Sequence, residues 1–160
     1  MSAIKRVTQA LCIFMLAAFA AQASAQQRPD YGTPVTVDQA KKIAAAVVAE
    51  CQSNKWNVAV AVVDTAGNLV YFERIENTQT ASMDIAILKA RAAATYRRPT
   101  RVFADVIAKS GPAIMTLPGV VASPGGLPLM VGGKVTSGVG VSGVTGDQDE
   151  QCAKAGLSAM

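Results

Sequence analysis

Six consecutive apolar residues, Val58 to Val63, lead into the polar turn Asp64-Thr65-Ala66-Gly67-Asn68 and then a mixed run from Leu69 to Arg74. An unbroken apolar run bounded by turn residues predicts a strand buried on both faces. Asp and Asn accept turn geometry and Gly67 supplies a positive φ, so the two runs read as a β-hairpin. In the second arm Glu73 and Arg74 follow Leu69, Val70, Tyr71 and Phe72, which sets its end against solvent or a ligand.

Upstream, Val37, Ala40, Ala44, Val47, Val48 and Cys51 recur at helical spacing, predicting a helix that ends near Asn54. Thr36 and Gln39 fit a capping box, and Asp38 complements the helix dipole. Downstream, an Ala-rich helix is predicted over 81–97, with Ile85, Leu88, Ala92 and Tyr96 as its buried face and a stop set by Pro99. Thr100 is placed to cap a third helix through Val102, Phe103, Val106 and Ile107, closed by Gly111-Pro112. The turn-rich segment from Leu117 to Pro128 carries one short strand, Val120–Ala122. Leu129–Val131, a Gly132-Gly133-Lys134 turn and Val135–Ser142 form a second hairpin. Asp147, with Glu150 three residues later, caps the last helix, whose Cys152, Ala155, Gly156 and Ala159 give a small-residue face. Segregated hairpins and helices in this order predict an antiparallel α+β domain.

The N-terminus changes this picture. Lys5 and Arg6, the apolar stretch Leu11–Ala21 and the small residues Ala23-Ser24-Ala25 read as a signal peptide over 1–25. Cys12 lies within the apolar stretch, so no lipid anchor is read from it. Residues 26–35 then form an arm and 36–160 the domain, of a periplasmic or secreted protein with no membrane insertion once the leader is removed. Without Lys5 and Arg6 the balance is 13 basic against 11 acidic residues, too mild to argue for nucleic acid. The chain has no histidine, which removes a His base, a His metal ligand and the usual haem ligand. Cys51 and Cys152 are an even pair in an oxidising compartment, either a disulfide or two buried thiols.

Candidate motifs divide the same way. Gly138-Val-Gly140-Val-Ser-Gly143 matches G-x-G-x-x-G, but its glycines alternate inside a strand pattern and no acid can follow about 20 residues on. Dinucleotide binding is therefore excluded. Asp147-Gln-Asp149-Glu150 offers too few oxygen ligands for calcium and reads as a charge-complemented helix start. Lys89, Arg91, Arg97, Arg98 and Arg101 are either a solvated face or a clamp for carboxylates. Met83, Met115, Met130, Tyr31, Tyr71 and Tyr96 are, with the cysteines, the remaining conventional haem-iron ligands. No Ser or Cys nucleophile has a visible base, so no catalytic residue is assigned.

The pattern Val60-Ala-Val-Val-Asp64-x-x-Gly67 and Arg74 resembles the GlcG/HbpS-like family, which includes the C-terminal domain of PduO-type proteins. Lys89-Ala90 with Ala93, Gly125-Gly126-x-Pro128, Gly140-Val-Ser-Gly143 and Cys152-Ala-x-Ala-Gly156 extend the likeness over 37–157. The resemblance implies a profilin- or PAS-like antiparallel five-stranded sheet flanked by helices, often in homo-oligomers. It implies that some exported members bind haem and feed redox sensing, while many members have no settled activity. This chain departs in lacking histidine and in Ser137, where the family commonly has glycine.

The expected function is an exported, non-enzymatic small-ligand-binding protein with haem as the leading ligand, linked to redox sensing or haem handling. Its pocket is expected between the Gly125-Gly126-Leu127-Pro128 loop and the helix carrying Lys89. Arg74 and Lys89 would pair with carboxylates, and Gly125, Gly126, Ser142 and Gly143 would give amides and close approach. Two alternatives are an enzyme or accessory factor for a small organic acid such as glycolate, using Asp64 or Glu73, and a homo-oligomeric interaction module.

Overall fold

The structure, a computed structural model, describes residues 28–160. The leader read over 1–25, together with Gln26 and Gln27, lies outside them.

Helix α1, Val37–Ser53, starts at the capping box of Thr36 and Gln39 and ends at Asn54. Ile43 joins its buried stripe, whereas Val37 is half exposed at the first turn. Strands β1, Ala59–Val63, and β2, Leu69–Arg74, form the antiparallel hairpin, with Gly67 at φ 86° in its turn. Helix α2, Ser82–Tyr96, stops where Arg97 turns left-handed ahead of Pro99, and α3 covers Arg101–Ser110. A short 3-10 helix, Pro112–Thr116, precedes β3, Gly126–Val131, and β4, Lys134–Ser142. Helix α4, Gly146–Ala155, and a last 3-10 turn, Gly156–Ala159, close the chain.

The sheet is antiparallel in the order β2-β1-β4-β3, so the fold is α+β, with four strands among the described residues where five were expected. Val120–Ala122, expected as a strand, is irregular. Side chains take the carbonyls on either side of it, the Tyr96 phenol that of Pro118 and the Thr100 hydroxyl that of Ser123. β3 begins at Gly126, three residues ahead of the expected Leu129, and holds Pro128 because an edge strand tolerates a missing N–H. The arm lies along β4 beyond the end of β1: Tyr31 bridges Val135, Gly32 N–H donates to its carbonyl, and Val135 N–H donates to Asp30.

The two faces of the sheet carry different packing. On one, Val60, Val62, Val139 and Val141 meet Ile43, Val47 and Cys51 of α1 and Cys152 of α4. Cys51 and Cys152 are joined in a disulfide, with Cα atoms 5.5 Å apart. On the other, Ala59, Ala61 and Val63 meet Ala86, Ala90 and Ala94 of α2. The face expected for α2 is corrected here, since Leu88 is 43% exposed and the alanines are buried. The cause is on the sheet: a Cβ at Gly140 would lie 2.1 Å from the Ala86 carbonyl oxygen, and one at Gly138 2.3 Å from that of Ala90. These glycines let the helix backbone sit on the strand, and only alanine fits between.

Candidate functional site

The structure divides the six expected ligand-contacting residues into two groups. Lys89, Gly125, Gly126 and Gly143 belong to a tightly packed junction. Lys89 is 1% exposed, and its Nζ donates to Asp149 Oδ2 at 2.7 Å and to the Val141 carbonyl at 3.0 Å. That carbonyl lies just beyond the start of β3, where the ladder no longer supplies a donor. Asp149 Oδ1 in turn accepts from Val144 N–H. A Cβ on Gly126 would fall 2.4 Å from the Lys89 carbonyl oxygen, and one on Gly125 would meet Asp149 and Val141 at 2.8 Å. One on Gly143 would strike the Asn57 carbonyl at 2.2 Å. Helix and strand thus touch directly where the pocket was expected, and the Lys89 ammonium is held by Asp149. Burial pushes Lys89 below its ordinary range and Asp149 above its own, and the contact between them opposes both shifts.

Arg74 and Ser142 stand together at the other group. Both pair with Ala59, so they form one row across β2, β1 and β4 on the face covered by α2. Ser142 Oγ donates to Ser82 Oγ at 3.2 Å, which ties β4 to the first residue of α2. Gln79 Nε2 holds the same hydroxyl from the preceding turn. The next residue is Met83, whose sulfur accepts from Arg74 Nη1 at 3.8 Å. Phe72, Met83 and Ile87 are half-buried at the margin of the alanine-lined cluster, and Arg74 is exposed. The arrangement is an apolar bed with an accessible guanidinium and a thioether at one end.

The remaining candidates are engaged elsewhere. Asp64 Oδ1 accepts from the amides of Ala66 and Asn68 and Oδ2 from the Asn68 side chain, so the carboxylate builds the hairpin turn. Burial pushes it up, but the donors together outweigh that and hold it below the usual carboxylate value. Glu73 accepts from the Tyr71 phenol. Arg91 donates to the Gly67 carbonyl and Arg97 to that of Pro29, while Arg98 lies over the Phe103 ring. The expected cap of α4 is corrected: Thr145 and Gln148 form the capping box, and Asp147 instead pairs with Arg101. Glu150 pairs with Arg101 and Lys154 at 2.7 and 2.8 Å. Each acid of this run therefore has a cation, and no cluster suited to a metal occurs among the described residues. An open cleft of about 480 Å³ lies at the opposite end of β4 from Ser142, between the arm, α1 and the β3–β4 turn, with Gln39, Val131 and Lys134 on its walls.

Arg74 and Ser142, both expected to contact a ligand, lie in one row, and sequence reasoning missed that Ser82 and Met83 join them. The signal was the register of a third element, which the periodicity of α2 does not contain.

Comparison with known proteins places the chain in a family. Residues 35–158 match the HbpS-like family, described as haem-degrading proteins. The protein GlcG of Escherichia coli is 35% identical over 106 residues, 64% of this chain and 79% of GlcG. The crystal structure of a double mutant of Streptomyces reticuli HbpS superposes with a TM-score of 0.75. It is 35% identical and covers 81% of this chain and 88% of that one. A PduOC–haem complex shares the fold at 23% identity, with a TM-score of 0.73 over 80% of this chain and 96% of that one. No helix among the described residues is long and apolar enough to cross a membrane. On the family match and the HbpS likeness together, the chain belongs to the HbpS-like family.

Proposed function

We propose that this protein is exported and binds haem at the Arg74–Met83 end of the α2 face, as part of haem handling or redox sensing. The observation that carries the placement is the exposed Arg74 guanidinium beside a half-buried apolar bed of Phe72, Met83 and Ile87. Haem needs a flat apolar contact, cations for its carboxylates and an axial donor from the protein. Those residue types meet here, and the family is described by haem chemistry. Arg74 would hold a carboxylate, with Ser142 supporting the bed through Ser82. Lys89 and the three glycines would act behind it, fixing α2 and α4 against the sheet.

Export is supported by the leader pattern over 1–25 and by a disulfide between the two cysteines outside it. Assembly into homo-oligomers is proposed on the family resemblance, with the half-exposed residues Met115 and Leu117 available beside α3.

Haemin titration of the purified protein tests the placement, with a protein of unrelated fold as control. A saturable, stoichiometric Soret shift is expected, and Arg74→Ala should weaken it on the order of tenfold, the worth of one charge-assisted hydrogen bond. A featureless response matching the control would overturn haem binding, and an unchanged affinity in Arg74→Ala would overturn the location. Bleaching of the Soret band with ascorbate and oxygen would add degradation to binding.

A further inference from the structure

Resting on the haem-binding reading above, we propose that Met83 supplies its thioether sulfur as an axial ligand to the iron of a bound haem. The inference comes from elimination on chemistry and then from position. The chain has no histidine. Cys51 and Cys152 are bonded to each other. The Tyr31 phenol donates to the carbonyls of Ala94 and Thr95 beneath the Arg97 guanidinium. Those of Tyr71 and Tyr96 donate to Glu73 and to the Pro118 carbonyl. A tyrosinate ligand would have to give up these bonds, which leaves the thioethers.

Four methionines fall within the described residues. Met115, Met130 and Met160 are exposed at 48, 41 and 44%, on a 3-10 turn, a hairpin edge and the chain end. Met83 differs in three respects. It is half-buried in an apolar cluster beside Phe72 and Ile87. Its backbone is fixed, because the adjacent Ser82 is 0% exposed and joined to Ser142 and Gln79. Its sulfur faces Arg74, and it is the one hydrogen-bond acceptor of that side chain among the described residues. A thioether is a weak acceptor for a guanidinium. On binding, the sulfur lone pair would go to iron and the guanidinium to a carboxylate, so both groups exchange a weak partner for a stronger one. Thioether ligation also favours the reduced iron relative to an anionic ligand, which raises the potential.

The test reads the ligand, not an activity. Ferric haem is added to the wild-type chain, Met83→Leu and Met115→Leu, and the far-red sulfur-to-iron charge-transfer band is recorded. The proton spectrum of the reduced complex is searched for an upfield-shifted methionine methyl. Leucine conserves the volume of methionine, so the fold should tolerate the change. The expected result is a thioether signature in the wild type and Met115→Leu that is lost in Met83→Leu while haem remains bound. Met83→His should restore axial ligation with an imidazole-type spectrum. Haem bound by the wild type without a thioether signature, or a signature that survives in Met83→Leu, overturns the Met83 assignment and leaves haem binding standing. A wild-type chain that binds no haem overturns both.

Discussion

At the scale of single residues, the absence or presence of one carbon decides how closely α2 approaches the sheet. Gly140 is tolerated in β4 at a cost in backbone entropy, because its missing side chain is where the Ala86 and Ala90 backbones pass. Gly140→Ala should therefore destabilise the protein by roughly 1–3 kcal/mol or more through overpacking, read as a lower urea midpoint at unchanged slope. An unchanged midpoint would mean that α2 does not sit this close. Ser137 makes the reverse case. Its hydroxyl is fully buried with no hydrogen-bond partner, on a strand position opposite Leu129. Ser137→Ala removes that unpaired group, with an expected gain of about 1 kcal/mol visible as a higher melting temperature. A clear loss of stability would show that the hydroxyl has a partner, such as an ordered water.

At the scale of elements, buried and half-buried charges determine how the helices are joined. Lys89 of α2, the Val141 carbonyl of β4 and Asp149 of α4 meet at one point. Lys89→Ala leaves the Asp149 carboxylate buried without its cation and should cost about 3–5 kcal/mol, whereas Lys89→Met with Asp149→Leu should be far milder. Urea unfolding of the single and double variants checks this, and similar losses in both would show that the pair is not the joint. Glu150 links α4 to α3 through Arg101. Burial pushes its carboxyl up, but hydrogen bonds from Lys154 and Arg101 outweigh that and hold it low. The unfolded state then binds the proton more readily, so the stabilisation is present above about pH 4.3 and is lost as pH falls through the depressed folded value. Glu150→Gln should flatten the acid side of the stability profile relative to wild type, and parallel profiles would refute the link. These joints mark where the sequence stops being legible. The first hairpin could be read because Asp64, Gly67 and the flanking apolar runs act within a few residues of one another. The capping box of α1 was legible for the same reason. In α4, Asp147 was the expected cap, but Thr145 takes that place and Asp147 pairs with Arg101, 46 residues away. In α2, Leu88 fitted the expected buried stripe, and two glycines on another strand selected the side of Ala86, Ala90 and Ala94 instead. Lys89 looked like a ligand-binding cation because the acid that holds it lies 60 positions later.

At the scale of the whole molecule, one covalent link spans nearly everything else. The disulfide joins the end of α1 to the middle of α4 across 101 residues, and both hairpins and the other two helices lie inside the loop it closes. Closing so long a loop restricts the unfolded chain strongly, by roughly 4–5 kcal/mol in the chain-entropy account. For a domain whose whole stability is of order 5–15 kcal/mol, that is a large share. Both sulfurs belong to residues with no exposed surface, so reduction requires the α1–α4 contact to open first. The native protein should therefore resist a reductant that converts it completely in urea, and thiol labelling before and after denaturation measures the difference. Once reduced, it should unfold at a distinctly lower urea concentration. Equal midpoints with and without reductant would mean that the bond contributes nothing, leaving the valine cluster between α1 and the sheet to hold the two chain ends together alone.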